Sequence, residues 1–215
     1  MRIGVFGGTF DPVHYGHLIL AEQCREQGRL DEVLFVPAPR PPHKPRPCAR
    51  FDQRVEMLAL ALAGNPTFRI EEVEKEREGP SYTVDTLIEL KRRRPGDELF
   101  LLIGADTLHD LPQWYEPRRI LESAGLLVVG RPDSSVPDRE ELGARLNLRP
   151  DAVRIAVIQA PLIDISSRDL RRRVAEGRSL RYLLPRAVEC YIHDKRLYRA
   201  NEPRPLGSGD AAPAP

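Results

Sequence analysis

The first 20 residues constrain the fold of this chain more than any other segment. They read MRIGVFGGTFDPVHYGHLIL, in which a short apolar run, Ile3 to Phe6, precedes the glycine pair Gly7 and Gly8. Two histidines follow, and an apolar helical pattern begins directly after them at Leu18. This order predicts a strand, a glycine turn and a helix N-terminus in succession. Such a turn brings free backbone amides and the positive end of a helix dipole to one point, which suits phosphate binding.

Length and composition bound the organisation of the chain. With 215 residues, of which 41% are hydrophobic, it can bury a sizeable core as one large domain or two small ones. A single domain over residues 1–199 is the simpler prediction. Residues 200–215 are rich in Pro, Gly and Ala and lack periodicity, so we expect a disordered tail there.

Charge and cysteine usage exclude several classes of protein. The 33 basic residues nearly cancel the 32 acidic ones, so the basic excess typical of nucleic-acid binders is missing. The longest apolar run, Leu99 to Ile103, is too short to cross a membrane, and no signal peptide is visible. Cys24, Cys48 and Cys190 are too scattered for a disulfide framework or a zinc site, which favours the reducing cytoplasm. The oligomeric state is left open, with a homo-oligomer as one alternative.

Strand-like and helix-like patterns alternate along the chain. Strands are predicted at Arg2–Phe6, Glu32–Val36, Thr67–Val73, Glu98–Ile103, Leu126–Val129 and Val153–Ile158. Helices are predicted at Tyr15–Gln27, Phe51–Ala63, Ser81–Arg94 with Ser81 as its cap, Arg118–Glu122 preceded by Pro117, Ser167–Glu176 and Pro185–Arg196. This alternation indicates a Rossmann-like, doubly wound parallel sheet with helices on both faces.

Parallel sheets bind ligands beyond the carboxyl ends of their strands, near the point where the strand order reverses. Three segments follow predicted strands and are expected to converge there. Their candidate nucleotide-binding residues are Gly7, Gly8, Thr9, Phe10, Gly104, Asp106, Ile165, Ser166 and Ser167. Asp106 could accept hydrogen bonds from ribose hydroxyls or simply lie at a helix start.

His14 and His17 are three residues apart at the start of the first predicted helix. On one helical turn they share a face, so both imidazoles can reach a single phosphate group, and Gly16 leaves room between them. The G-x-G-x-x-G fingerprint and the G-x-x-x-x-G-K-[ST] pattern are both absent. A glycine turn with two structural histidines is the alternative interpretation, which we consider much weaker for this spacing.

The segment GGTFDPVHYGH, residues 7–17, resembles the signature of the nucleotidylyltransferase superfamily. The segment ISSRDLR, residues 165–171, resembles the second signature of the same superfamily, with Arg168 where threonine is common. The resemblance implies that His14 and His17 contact a nucleoside triphosphate and stabilise its transition state. It also implies that Arg171 adds positive charge beside the phosphates.

Three further segments resemble the bacterial nicotinate-mononucleotide adenylyltransferases: HKP at 43–45, SYTVDTL at 81–87 and IGADTLHDLPQWYEP at 103–117. This resemblance implies that Lys44 contacts phosphate, although a solvated basic loop is the alternative. It implies that Thr83 and the Tyr115 backbone recognise a nicotinate carboxylate. The only tryptophan, Trp114, could stack on a pyridinium ring or be an ordinary core aromatic.

The reaction implied by the resemblance joins ATP and nicotinate mononucleotide, giving nicotinate adenine dinucleotide and pyrophosphate in NAD biosynthesis. Mg²⁺ is expected as a cofactor, bound mainly through the ATP phosphates, because no carboxylate cluster suggests a metal cage. One alternative keeps the superfamily but changes the acceptor, for example to nicotinamide mononucleotide. A nucleotide sensor without catalysis is the alternative from another class.

Overall fold

The computed structural model describes residues 1–41, 46–75, 77–130 and 136–199. Its strands are β1 (Arg2–Gly8), β2 (Glu32–Pro37), β3 (Phe68–Ile70), β4 (Glu98–Gly104), β5 (Gly125–Val129) and β6 (Ile155–Ile158). Its helices are α1 (Tyr15–Gln27), α2 (Phe51–Leu62), α3 (Thr83–Arg93), α4 (Ala105–Asp110), α5 (Pro117–Ser123), α6 (Arg139–Leu146), α7 (Ser167–Ala175) and α8 (Arg186–Asp194).

All six strands form one parallel sheet in the order β3-β2-β1-β4-β5-β6. The order reverses between β1 and β4, where Arg2 pairs with Glu98. The chain runs outward from β1 to β3, returns to β4 beside β1, and then runs outward again. The prediction of a Rossmann-like, doubly wound parallel sheet is confirmed. The carboxyl ends of β1 and β4 therefore flank the expected ligand crevice.

The sheet separates two hydrophobic cores, because alternate strand residues point to opposite faces. One core packs β1 and β2 side chains such as Phe6 and Phe35 against α1, α2, α7 and α8. The other packs Val5 and Leu34 against α3, α5 and α6. Helices cover both faces, as predicted, which leaves the ends of the strands uncovered.

Several element boundaries differ from the predictions. The strand predicted over Thr67–Val73 is shorter, and Ser81 is not the cap of α3, since Tyr82 is the residue before its first turn. The short helices α4 and α6 were not predicted. The predicted tail, 200–215, lies outside the described residues. In the part of the chain that the structure describes, none of the helices is long and apolar enough to cross a membrane.

Candidate active site

A cavity of about 900 Å³ opens at the carboxyl ends of the central strands. The predicted nucleotide-binding and catalytic residues that line it are Gly7, Gly8, Thr9, Phe10, His14, His17, Gly104, Asp106, Ile165, Ser166, Ser167 and Arg171. They come from three separate segments of the chain. The parallel sheet brings these segments together because β1 and β4 are neighbours and α7 begins beside them.

Gly7 and Gly8 are the last two residues of β1 and pair with the last two residues of β2, so the predicted glycine turn is part of the strand and the turn itself begins at Thr9. The glycine end of β1 is nevertheless open on one side. A Cβ on Gly7 would meet nothing within 4 Å, whereas one on Gly8 would lie 2.8 Å from Cζ of Phe10. Phe10 adopts a positive φ of 49° and its ring is buried against Phe6 and Phe35. The Phe10 side chain therefore packs the turn against the hydrophobic core, and only its main chain can face a nucleotide.

The two imidazoles lie against each other at the N-terminus of α1. Their ring centroids are 3.7 Å apart with 27° between the ring planes, so they are stacked. The backbone N–H of His14 donates to Nδ1 of His17 at 3.3 Å. Because Nδ1 of His17 accepts this bond, the proton of its neutral ring is on Nε2. A ring in this state can donate a hydrogen bond to a phosphate oxygen.

His14 is only 5% exposed, and burial lowers its pKa from 6.5 to about 4. It is therefore neutral near pH 7 and can offer a hydrogen bond rather than a fixed charge. Its Nδ1 is buried and has no hydrogen-bond partner among the described residues. A Cβ on Gly16 would lie 3.0 Å from Nδ1 of His14, so a residue without a side chain leaves room for the His14 ring at this position.

The start of α7 is joined to the turn that precedes the histidines. The Ser166 hydroxyl accepts from the backbone N–H of Asp169 and caps the helix. The Ser167 hydroxyl donates to the carbonyl of Pro12 at 2.9 Å, and Nη1 of Arg171 donates to the carbonyl of Asp11 at 2.6 Å. Ser167 and Arg171, two of the side chains predicted to bind phosphate, thus also fix α7 against the histidine turn.

Asp11 is a residue that the sequence analysis missed, although it lies inside the first motif. Its buried carboxylate accepts from the backbone N–H groups of Cys48 and Ala49 and from the hydroxyl of Tyr198, at 2.7–3.1 Å. The guanidinium of Arg171 lies 4.0 Å from Oδ2 of Asp11. One carboxylate thereby links the turn to three distant parts of the chain.

Arg54 supports the same turn from the helix α2. It is almost fully buried, and its Nη1 donates to the carbonyl of Thr9 at 2.6 Å. Burial lowers the pKa of Arg54, while the nearby charge of Asp11 acts in the opposite direction. The sequence indicated this role only weakly, because Arg54 is an arginine in an apolar helix and its partner Thr9 is 45 residues away.

Positive charge at the cleft comes from arginines. Arg46, Arg168 and Arg171 all line it. Arg168, which replaces the usual threonine, can therefore supply charge at this position instead of a hydroxyl. Lys44, the remaining predicted catalytic residue, and Arg131 lie outside the described residues. Among the described residues, no group of three or more His, Cys, Asp or Glu side chains is arranged to hold a metal ion.

The predicted acceptor-binding residues Thr83, Trp114 and Tyr115 are not among the residues that line this cavity. They are nevertheless near one another. Thr83 is the first residue of α3, and the ring of the preceding Tyr82 packs 4.6 Å from the ring of Tyr115. Trp114 is half-buried against the second core, whereas Tyr115 is 52% exposed. No side chain caps α3, so its first amides keep their capacity to bind an anion.

Known proteins share this fold and these motifs. Residues 5–173 match the cytidylyltransferase-like family, and the chain belongs to that family. A probable nicotinate-nucleotide adenylyltransferase of Thermomicrobium roseum is 50% identical over 94% of this chain and 93% of its own length. One from Thermus thermophilus is 48% identical over 93% of this chain and its whole length. Within the family, the chain therefore belongs to the nicotinate-nucleotide adenylyltransferases.

A solved structure supports the fold independently. Plasmodium falciparum nicotinic acid mononucleotide adenylyltransferase, complexed with NaAD, matches 92% of this chain and 97% of its own chain. The TM-score is 0.73 at 18% sequence identity. At that identity the likeness establishes the shared fold.

Proposed function

We propose that this enzyme transfers AMP from ATP to nicotinate mononucleotide, forming nicotinate adenine dinucleotide and releasing pyrophosphate. The observation that carries the proposal is the stacked pair His14 and His17 beside the open glycine end of β1. Its relatives among the probable nicotinate-nucleotide adenylyltransferases cover nearly all of the chain. This places the protein in NAD biosynthesis.

ATP occupies the cavity with its phosphates at the glycine end of β1. Gly7–Phe10 and the first residues of α1 and α7 line this space, and a helix N-terminus carries partial positive charge that favours an anion. Arg46, Arg168 and Arg171 add full positive charges around it. A triphosphate is the ligand that this arrangement neutralises best. Lys44 is proposed to contact the same phosphates.

The nucleophile is the 5′-phosphate of nicotinate mononucleotide, whose oxygen attacks the α-phosphorus of ATP in line. The new P–O bond forms as the bond from the α-phosphorus to the bridging oxygen breaks, and pyrophosphate leaves with that electron pair. A phosphate monoester is already anionic near neutral pH, so the enzyme needs no strong general base. We therefore propose direct transfer without a covalent enzyme intermediate.

The protein contributes alignment and hydrogen-bond donors to this transfer. His17 donates from Nε2 to an oxygen of the α-phosphate or the leaving pyrophosphate. The buried, neutral His14 donates a second hydrogen bond without repelling a charged neighbour. The backbone N–H of His14 holds the His17 ring, and burial and stacking hold the His14 ring, before the substrate arrives, so little reorganisation is required in the transition state.

The acceptor is proposed to bind where α3 begins. The amides at Thr83 and Tyr115 donate to the nicotinate carboxylate, and the indole of Trp114 stacks on the pyridinium ring. An amide in place of the carboxylate would direct its NH₂ group at these donors. The enzyme is therefore expected to prefer the acid mononucleotide to the amide.

Mg²⁺ is proposed as the cofactor, held mainly by ATP phosphates and water, since magnesium commonly binds proteins through substrate phosphates. The ion would neutralise charge on the triphosphate. Cys24, Cys48 and Cys190 are free thiols, which suits a proposed location in the reducing cytoplasm.

Pyrophosphate release tests the proposal directly. The purified chain is incubated with ATP and Mg²⁺, together with nicotinate mononucleotide, nicotinamide mononucleotide or no acceptor. We expect rapid release with the acid, at least tenfold slower release with the amide, and none without an acceptor. Equal use of both acceptors would contradict the acceptor assignment. ATP binding without any pyrophosphate release would instead identify a nucleotide sensor.

A further inference from the structure

Glu74 is a buried carboxylate that the proposed reaction does not use. It lies between β3 and α3 and is 6% exposed. Its Oε1 accepts the hydroxyl of Thr86 at 2.5 Å, whereas its Oε2 is buried without a hydrogen-bond partner among the described residues. Burial raises the pKa of Glu74, and the hydroxyls of Thr86 and Ser81 act in the opposite direction. A group that is costly to bury is expected to have a specific role.

The contacts of Glu74 lie at the first turn of α3. Thr86 is the fourth residue of that helix, and its backbone N–H donates to the carbonyl of Tyr82 at 3.3 Å. Its hydroxyl accepts a further hydrogen bond from Nη1 of Arg77 at 3.3 Å. Ser81, on the other side of Tyr82, is the second hydroxyl near the carboxylate. Glu74 thus spans the turn that contains Tyr82 and Thr83.

The same turn is joined to the segment that follows β2. The backbone N–H of Ser81 donates to the carbonyl of Arg40 at 2.9 Å. The backbone N–H of Arg40 donates in return to the hydroxyl of Ser81 at 3.3 Å. The turn before α3 is therefore held from both sides, by Glu74 on one and by Arg40 on the other.

We infer that Glu74 is a positioning residue for the acceptor: through Thr86 it holds the first turn of α3, where the Thr83 amide receives the nicotinate carboxylate. This inference rests on the proposed function. Because α3 has no side-chain cap, nothing at the cap position itself sets the direction of its first amides. A hydrogen bond to the substrate needs its donor at about 2.7–3.2 Å, so a small displacement of this turn weakens acceptor binding.

The test compares steady-state kinetics of the wild type with those of Thr86→Val, Thr86→Ser and Glu74→Gln. Thr86→Val removes the hydroxyl at constant shape, and we expect its KM for nicotinate mononucleotide to rise at least tenfold. Its KM for ATP should stay within twofold of the wild type. Thr86→Ser retains the hydroxyl and should restore acceptor binding to within threefold. Glu74→Gln should give an intermediate effect, because its carbonyl oxygen can still accept from Thr86.

Glu72→Gln is the matched control, since Glu72 lies two residues away and its carboxylate pairs with Lys75 at 2.9 Å. It should leave both KM values unchanged. Thermal midpoints are measured for every variant, and all kinetics are run well below the lowest midpoint. A purely structural role for Glu74 would change both KM values in parallel with the loss of stability.

The outcomes separate the inference from the proposed function. If the wild type does not use nicotinate mononucleotide, the proposed function is wrong and the inference fails with it. If the wild type uses it and Thr86→Val shows an unchanged acceptor KM, only the inference is wrong. Equal changes for ATP and the acceptor, or no recovery in Thr86→Ser, would also overturn it.

Discussion

His14 and His17 are adjacent in space but differ in their surroundings. His14 is buried, and its lowered pKa keeps it neutral near pH 7, whereas His17 accepts a backbone hydrogen bond on Nδ1. Two charged rings with centroids 3.7 Å apart would repel each other, and a neutral His14 avoids this repulsion. We therefore propose that the histidines act by donating hydrogen bonds to phosphate.

Removal of the His17 imidazole should slow the chemical step. We expect His17→Ala to reduce kcat by about 10²- to 10³-fold, the usual loss for one transition-state donor. The KM for ATP should change much less. His193→Ala, on the exposed side of α8, is the control and should behave as wild type. Near-normal turnover of His17→Ala would show that its assigned role is wrong.

Burial of His14 should make folding stability depend on pH. Its pKa is 6.5 in an unfolded chain and about 4 in the folded protein, so between these values only the unfolded state binds the proton. Stability is fully present above about pH 6.5 and is lost as the pH falls toward 4. Between about pH 7 and pH 5 the loss from this residue is about 2 kcal/mol.

Urea unfolding of the wild type and of His14→Asn at the two pH values measures that contribution. Asparagine does not titrate, so the wild type should lose about 2 kcal/mol more than the variant. Other titrating groups affect both proteins equally and cancel in the comparison. Equal losses in the two proteins would contradict the assignment of a neutral, buried His14.

At the scale of elements, two capped helices allow the effect of a cap on stability to be separated from its effect on activity. Ser166 caps α7 beside the cleft, and Asp138 caps α6, whose residues are absent from the cleft lining. Replacement of either cap by alanine should cost about 1 kcal/mol. In a domain of this size that lowers the thermal midpoint by about 2–4 °C.

Activity should distinguish the two cap variants. Ser166→Ala is expected to reduce kcat/KM for ATP severalfold as well as stability, because the start of α7 lines the cavity in which we propose that the phosphates bind. Asp138→Ala should leave kcat/KM unchanged. Thermal melts and pyrophosphate-release kinetics on both variants provide the measurement. Loss of activity in both, or in neither, would contradict the placement of α7 at the phosphate site.

Elements with strong local signals were predicted well. The helix α1 was predicted with its observed bounds, because a histidine turn precedes it and Gly28 ends it. The helix α4 was missed, since six residues carry no clear periodicity. For α6 a signal was present: Asp138 precedes Glu141 by three residues, the spacing of a capped helix start. Because this spacing is local, the sequence alone was sufficient to predict the start of α6.

Ser81 shows where a local rule failed. A serine before an apolar helix favours a cap, yet Tyr82 occupies that position and the Ser81 hydroxyl accepts from the backbone of Arg40 instead. The partner is 41 residues away, so no local pattern could indicate it. The Ser81 hydroxyl therefore makes the tertiary hydrogen bond with Arg40 and not the predicted local cap.

At the scale of the whole molecule, Asp11 connects the turn after β1 with the segment that follows α8. The turn after β1 receives Tyr198 from beyond α8, 187 residues away, and Arg171 from α7. Burial is the main cause that raises the pKa of Tyr198, and the charge of Asp11 is the second. The motifs in the sequence indicated which segments form the site, but not the buried network that holds them, because its members are far apart in sequence.

This connection predicts how the C-terminal region contributes to stability. Tyr198→Phe removes a hydrogen bond to a buried carboxylate and should cost about 1.5–3 kcal/mol, lowering the thermal midpoint by roughly 3–12 °C. Deletion of residues 200–215, predicted to be a disordered tail, should change neither stability nor activity. Differential scanning calorimetry on both variants decides this. A large destabilisation by the deletion would contradict a domain that ends near residue 199.

The arrangement of the two imidazoles around a triphosphate is the central claim, and a crystal structure with a non-hydrolysable ATP analogue tests it most directly. We predict that the analogue occupies the cavity between β1 and β4. An imidazole nitrogen of His14 and Nε2 of His17 should lie within about 3.2 Å of phosphate oxygens. A triphosphate bound elsewhere, or in the cavity with both rings remote from its phosphates, would contradict the account.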